Sequence, residues 1–239
     1  MSGYFTYGGD IKSFETLIDS FKRIKQKNRT YCYMGAAQGI IGNSDIGKMF
    51  MQKYFEKIEK EHKKYFYPIL GWYLLRQDRQ SDIQPTEKKL IYRGLGPFLY
   101  FESNFQMSSF NEMMKPIPQE YRSACFEGIG MSLTSFHKRN FLKVQNTIDE
   151  LSSDDKVSAY RGVGRSIGER FGFNTKSCEE MINKVEPKYQ NFCYEGLGKQ
   201  VAWRFGKNKE VINLILKGID QKFKIFFERG IQEELKYSN

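Results

Sequence analysis

The chain has 239 residues, a net charge of +10 and a pI near 9.3. Its 40% apolar and 15% aromatic residues can build a core, which excludes a disordered or collagen-like chain. The longest apolar run, 65–75, is too short for the roughly 20 residues that cross a bilayer. The first residues also lack the basic and apolar stretches of a signal peptide. We therefore expect a cytoplasmic protein without a membrane span.

The cysteines and histidines set limits on the chemistry. The four cysteines (Cys32, Cys125, Cys178 and Cys193) form no Cys-x-x-Cys pair, so we expect reduced, buried thiols rather than a zinc or redox motif. The two histidines, His62 and His137, are far apart in the sequence. The parts of a metal site or a Ser-His-Asp triad are therefore missing, and we expect neither a cofactor nor an enzyme.

The chain opens on a segment, 8–18, that matches residues 172–182 and so predicts the break and second helix of a two-helix unit. At the other end, residues 222–236 predict a first helix without a second. Solenoids need polar capping ends. Our hypothesis is that the chain is part of a longer protein or packs its open end on another chain, as in a homo-oligomer. A degenerate natural terminus is the alternative.

One motif recurs along the chain. It consists of an aromatic residue, a glycine two positions later and a second glycine four positions later. Copies at 91–96, 125–130, 159–164 and 193–198 are 34 residues apart, and a decayed copy follows at 227–231. Upstream copies at 32–37 and 66–71 keep this interval. Only the step from Tyr67 to Tyr92 is shorter, at 25 residues. Equal intervals with the same residue types indicate an internal repeat.

Each repeat is predicted to form two helices. One apolar stripe in 188–221 has helical spacing and consists of Tyr194, Leu197, Val201 and Phe205. After a break at 206–208, a second stripe consists of Val211, Leu214, Ile215 and Ile219. Pro187 is expected to end the second helix of the preceding repeat. No run alternates as a strand would, so the class is all-α.

We expect one α-solenoid of stacked repeats over residues 1–239. Its predicted parts are a partial repeat at 1–26, repeats at 27–60, 61–85 (shortened), 86–119, 120–153, 154–187 and 188–221, and a terminal helix at 222–239.

The paired glycines lie inside the first helices, where each costs about 1 kcal/mol relative to alanine. Gly196 and Gly198 lie on nearly opposite sides of one helix, which predicts close packing on its partner helix and on the preceding repeat. A phosphate-binding loop is the alternative that we consider less favoured. Gly42–Lys48 has the spacing of such a loop, but Met49 follows it where a Ser or Thr is needed, so we interpret it as a turn.

These 34-residue, two-helix units, with aromatic-x-x-apolar-Gly-x-x-apolar on the first helix, resemble the tetratricopeptide repeat. The resemblance covers nearly the whole chain. It departs from the family in the second helices, which lack its regular small residue, and in the extra glycine at 94, 128, 162 and 196. A fainter likeness, in the recurring Tyr-x-Gly-x-Gly helices, is to a family of uncertain function from bacterial enediyne polyketide gene clusters.

The residue between the aromatic and the first glycine alternates in charge along the chain: Arg93, Glu127, Arg161, Glu195 and Arg229. The tetratricopeptide resemblance implies that this position and the one four residues on line a concave groove. In the second half of the chain, Arg165 and Lys199 occupy the position four residues on. The position one turn further is occupied by Phe101 in an earlier repeat and by Trp203 in a later one. The series predicts either a charge ladder that orders the repeats or a groove for an acidic or aromatic segment.

The sequence thus favours a non-enzymatic scaffold that binds a protein or peptide partner, possibly an acidic one, through its concave face. The candidate partner-binding residues are Arg93, Phe101, Glu127, Arg161, Arg165, Glu195, Lys199, Trp203 and Arg229. Two alternatives stay open. The first is a helical-repeat protein that binds nucleic acid such as RNA, in keeping with the basic charge. The second is an accessory protein that binds a small apolar metabolite.

Overall fold

The computed structural model describes residues 11–25, 29, 32, 33, 36, 55–58, 63, 66, 67, 70, 85–137, 140–206 and 208–236. The chain divides into two compact units, Met1–Leu95 and Gly96–Asn239, where the sequence predicts one solenoid. The segment Gly42–Lys48, the first ten residues and most of the repeats at 27–60 and 61–85 lie outside the described residues.

In the first unit, helix α1 spans Ile11–Arg23, and a 3-10 turn follows at Phe55–Lys57. Phe21 of α1 is buried and meets the ring of Tyr33 edge to face, with 5.0 Å between the ring centroids. Tyr33 meets Phe66 in the same way at 6.3 Å. Edge-to-face contacts of this kind let buried rings pack with favourable electrostatics.

The second unit is a succession of longer and shorter helices, and α2 runs into it from the first unit. The helices are α2 (Pro85–Glu102), α3 (Met107–Met114), α4 (Gln119–Phe136), α5 (Phe141–Asp149), α6 (Ser153–Arg170), α7 (Thr175–Ile182), α8 (Pro187–Phe205), α9 (Lys209–Lys217) and, after a 3-10 turn at Gln221–Phe223, α10 (Lys224–Lys236). Within the described residues all regular structure is helical, which confirms the all-α prediction.

The helices begin at regular intervals. The starts of α2, α4, α6 and α8 fall at residues 85, 119, 153 and 187, and the turn before α10 starts at 221. The starts of α3, α5, α7 and α9 fall at 107, 141, 175 and 209. We call α4, α6, α8 and α10 the long helices and α3, α5, α7 and α9 the short helices. Both series therefore advance by 34 residues, the interval of the sequence motif.

The last three short helices are capped by the same residue type. Asn140, Asn174 and Asn208 each accept a hydrogen bond on Oδ1 from the backbone N–H three residues ahead, at 3.0 to 3.2 Å. Asparagine is a strong N-cap because its side chain satisfies an amide that the helix leaves unpaired. In the turns before the last two caps, Gly172 and Gly206 have φ near +58° and +59°, a conformation that favours glycine.

Two details of the helices differ from the sequence prediction. Helix α7 ends at Ile182, and Pro187 is the first residue of α8 rather than the end of the preceding helix. Proline suits this first position because its missing N–H has no partner there in any case. Leu214, predicted on the apolar stripe of α9, is 71% exposed.

The core of the second unit lies between the long and the short helices. Phe110, Val144 and Cys178, at the same position of successive short helices, are buried. On the long helices, Val163 and Leu197 are buried, and Leu197 belongs to the predicted apolar stripe. Helix α4 packs on α6, α6 on α8, and α8 on α10, so the long helices form one row.

Candidate functional site

The glycines of the long helices bring neighbouring backbones into direct contact. A Cβ added to Gly164 of α6 would overlap the carbonyl oxygen of Cys193 in α8, and one added to Gly196 of α8 would overlap that of Arg161 in α6. Both glycines of a pair therefore face other long helices. The expectation that one of them packs on its own short helix is wrong, because the closest approach in the unit is between the long helices.

The close approach continues along the row of long helices. Gly130 and Gly162 make the reciprocal contact between α4 and α6, and Gly198 and Gly230 make it between α8 and α10. Without a Cβ, two helix backbones can come into direct contact, because the distance between packed helices depends on the side chains at the contact. Polar side chains on the remaining face are thereby brought together.

Arg165 lies at the centre of this face and is 1% exposed. Its Nε is 2.5 Å from Oε1 of Glu127 in α4, and its Nη2 is paired with Glu234 of α10. Its Nη1 donates to Oε1 of Gln200 in α8 at 3.3 Å. The guanidinium of α6 thus contacts three other long helices, which uses the planar set of donors that only arginine offers.

Lys199 of α8 extends the same group of charges and is also buried. Its Nζ lies 2.9 Å from Oε2 of Glu233, 3.6 Å from Oε2 of Glu127 and 3.8 Å from Oε1 of Glu195. Glu127 belongs to α4, two long helices away from α8. Charged side chains therefore connect every second long helix of the row, α4 to α8 and α6 to α10.

The third cation of the group is Arg161. Its Nε lies 2.6 Å from Oε1 of Glu195 in the next long helix, and its Nη2 donates to Oε2 at 3.4 Å. Glu195 is fully buried, whereas Arg161 is partly exposed and its guanidinium lies 5.5 Å from the ring centroid of Phe192. We call these residues together the charge cluster; its members are Glu127, Arg161, Arg165, Glu195, Lys199, Glu233 and Glu234.

The charge cluster changes the interpretation of the alternating series. The pair Arg161–Glu195 is a rung of the predicted ladder, and Glu127 also pairs with Arg165 and Lys199, which lie outside the alternating series. Arg165 and Lys199 were expected to offer positive charge to a partner. The structure instead buries both against carboxylates of this chain, so neither is accessible to a partner in this conformation.

The remaining predicted residues differ in their exposure to solvent. Phe101, at the end of α2, is 58% exposed and meets Phe105 edge to face at 5.7 Å. Trp203 is half-buried at the end of α8, and Arg93 is half-buried in the first unit. Arg229 of α10 is exposed, with its guanidinium 5.4 Å from the ring centroid of Phe226.

Three contact residues were missed from the sequence: Gln200, Glu233 and Glu234. Glu233 occupies the position of Arg165 and Lys199 in its repeat, and Glu234 occupies the position of Gln200. Extending the 34-residue register by one more copy would have added both carboxylates to the candidate residues. The motif copy at 227–231 is decayed and includes Arg229, but the two carboxylates lie beyond its last residue.

Two buried tyrosines mark equivalent places on α6 and α8. Tyr160 stacks on Tyr189 with 4.2 Å between ring centroids, and Tyr194 stacks on Phe223 at 4.1 Å. Burial raises the pKa of both phenols well above the usual value. Neither hydroxyl has a hydrogen-bond partner in the part of the chain that the structure describes.

Three of the four cysteines are buried, as the sequence predicts, and the fourth is not. Cys125, Cys178 and Cys193 are buried free thiols, and Cys32 is partly exposed. Burial raises the pKa of Cys178 to about 12 and that of the other two buried thiols further still. A thiol that is protonated at neutral pH is a weak nucleophile, so these side chains act as packing groups.

Two other kinds of site, a metal-binding cluster and a membrane-spanning helix, are absent from the described residues. No three His, Cys, Asp or Glu side chains among them are grouped so as to hold a metal ion. None of the described helices has the length and apolar character needed to cross a membrane.

Comparison with known proteins gave no match. No protein-family model matches the chain, and neither a curated protein nor a solved structure matches it. The class of protein is therefore given by its own geometry: an all-helical chain whose second unit is a row of glycine-packed helices around a buried charge cluster.

Proposed function

We propose that this chain is a non-enzymatic α-solenoid of 34-residue repeats that binds a protein or peptide partner. The observation that carries the proposal is the common register of the second unit. Helix starts, asparagine caps, glycine contacts and tyrosine stacks all recur at the motif interval. Stacked repeats of this kind hold side chains at fixed intervals over an extended surface, which suits a protein ligand.

Within this proposal, the charge cluster orders the repeats and does not contact the partner. Arg165 can join Glu127 and Glu234 only when α4, α6 and α10 are at their correct places in the row. A misplaced helix would leave a buried charge without its partner, at a cost of about 3 to 5 kcal/mol. The partner is then expected on the exposed surface of the helices.

The proposal is tested by affinity capture from the native lysate, combined with light scattering of the purified chain. A protein that co-purifies in fixed stoichiometry after nuclease treatment is the expected result. Nucleic acid that leaves in high salt, with no accompanying protein, would contradict the proposal and favour the nucleic-acid alternative.

A further inference from the structure

One exposed side of the last long helix is not used by the contacts described above. Ile225, Arg229, Gln232 and Lys236 are spaced so that they share one side of α10, and all four are exposed. Ile225 is 62% exposed although it is a large apolar residue. We call these four residues the outer face of α10.

The equivalent side of α6 shows what such a face accommodates. Its residues at the corresponding repeat positions include Arg161, Gly164 and Gly168. Arg161 pairs with Glu195 of α8, and added Cβ atoms on the two glycines would meet Cys193 and Leu197 of that helix. In the middle of the row, this side is therefore covered by a helix that brings a carboxylate to the arginine.

Helix α10 differs from α6 at one decisive position. Where α6 and α8 have Gly164 and Gly198, α10 has Gln232. The side chain of Gln232 excludes the backbone contact that joins the other long helices, so a further helix of the same kind does not fit here. A helix that binds to this face must lie further out and use side-chain contacts, which suits a partner that can dissociate.

The charges of the outer face of α10 indicate the chemistry of that partner. Arg229 and Lys236 provide two cations, and neither has an ion pair within the described residues. Ile225 supplies an apolar contact one turn away from Arg229. Resting on the proposed function, we propose that this face binds an acidic amphipathic helix of a partner protein, with a carboxylate on Arg229 and apolar side chains on Ile225.

A protein helix fits this face better than a nucleic acid or an anionic membrane. Phosphate-rich ligands are bound by many cations spread over a broad surface, whereas this face has two. A single carboxylate placed on a helix, as Glu195 is for Arg161, matches one arginine beside one apolar residue.

The experiment is a selection from a displayed library of amphipathic helices whose binding side is randomised among Glu, Asp, Lys, Leu and Ala. The chain of 239 residues is the bait, and the enriched helices are then titrated by fluorescence anisotropy. The test variants are Arg229→Glu and Ile225→Asp. The matched controls are Lys176→Glu and Leu142→Asp, which change exposed residues of the same kinds on other helices. Thermal melts verify that all four variants fold.

We expect enriched helices that carry acidic and leucine residues, about tenfold weaker binding to either test variant, and unchanged binding to the controls. Lysine in place of the helix's acidic residues should restore binding to Arg229→Glu. The proposal is overturned if no helix is enriched, or if the enriched helices bind all variants equally. It is also overturned if Arg229→Glu alters only self-association, binding to phosphatidylserine vesicles or binding to a poly-uridine oligonucleotide. If the enriched helices bind elsewhere on the chain, the outer face of α10 is not the binding surface, but the proposed function is unaffected.

Discussion

Helices α8 and α10 belong to the same row and come from the same repeat position, yet their neighbours differ. In α8, both Gly196 and Gly198 contact a flanking long helix, and Glu195 is buried between Arg161 and Lys199. In α10, Gly230 contacts α8, but the second glycine position is the exposed Gln232.

Residues at the same position of the 34-residue repeat therefore differ in the helices that they contact. The first glycine faces the preceding long helix and the second faces the following one, so each is needed only where that neighbour exists. The same holds for the charged position of the motif: Arg161 is held by Glu195, whereas Arg229 is exposed. Substitutions at matched positions in the middle and at the end of the row should therefore have very different effects.

The largest difference is expected between Gly164→Ala and Gln232→Ala. A Cβ at residue 164 would overlap the backbone of Cys193, which cannot move without separating α6 from α8. We expect a loss of about 3 kcal/mol or more in the free energy of unfolding. Gln232 is exposed, so its change to Ala should alter that free energy by less than about 0.5 kcal/mol. Urea unfolding followed by circular dichroism measures both values.

A second glycine in α6 separates steric overlap from a general effect of alanine. A Cβ at Gly168 would approach only the end of the Leu197 side chain and the Phe173 ring, which can shift. The cost of Gly168→Ala should therefore be clearly smaller than that of Gly164→Ala. Equal costs at the two positions would refute the backbone contact between α6 and α8.

An intermediate difference is expected between Arg161→Met and Arg229→Met. Loss of the Arg161 guanidinium leaves the buried Glu195, among the residues that the structure describes, with Lys199 at 3.8 Å as its remaining cationic partner. We expect a destabilisation of about 2 to 3 kcal/mol. Arg229 is exposed and its loss should cost less than about 0.5 kcal/mol. Similar losses for both variants in urea titrations would show that the pair with Glu195 adds no stability.

The smallest effect is expected from the buried tyrosines at alkaline pH. Because burial raises the pKa of Tyr160 and Tyr194, the native state favours their protonated form. Their contribution to stability is complete below the ordinary phenol pKa of about 10 and is lost as pH rises above it. The double variant Tyr160→Phe, Tyr194→Phe should keep a higher melting temperature above pH 10 and differ little at pH 7. If the melting temperatures of the two proteins changed equally between pH 7 and 11, that result would argue against the burial of these tyrosines.

Much of the fold could be predicted because the motif consists of residue types with strong local conformational preferences. The paired glycines, the aromatic before them and the break before each second helix place the helices of the second unit to within a few residues. Asn140, Asn174 and Asn208 mark three of the starts of the short helices through local hydrogen bonds. Such signals lie close together in the sequence and so are visible without a structure.

The charge cluster could be predicted only in part, because it depends on how the long helices of the row are placed relative to one another. The rung from Arg161 to Glu195 joins neighbouring helices and follows from the register. The contacts of Arg165 with Glu234 and of Lys199 with Glu127 skip one long helix. Such contacts depend on the relative placement of three helices, and no single residue in the sequence specifies it.

The measurement that tests the central claim most directly is a double-mutant cycle between Arg165 and Glu234. The free energies of unfolding would be compared for Arg165→Met, Glu234→Gln, the double variant and the unchanged chain. Because the two side chains are paired across the row, we predict a coupling energy of about 1 kcal/mol or more. The matched pair of Arg165 with Glu228, which is exposed on α10, should show coupling near zero. A coupling near zero for Arg165 with Glu234 would contradict the account, because the first and third of three successive long helices would then not meet.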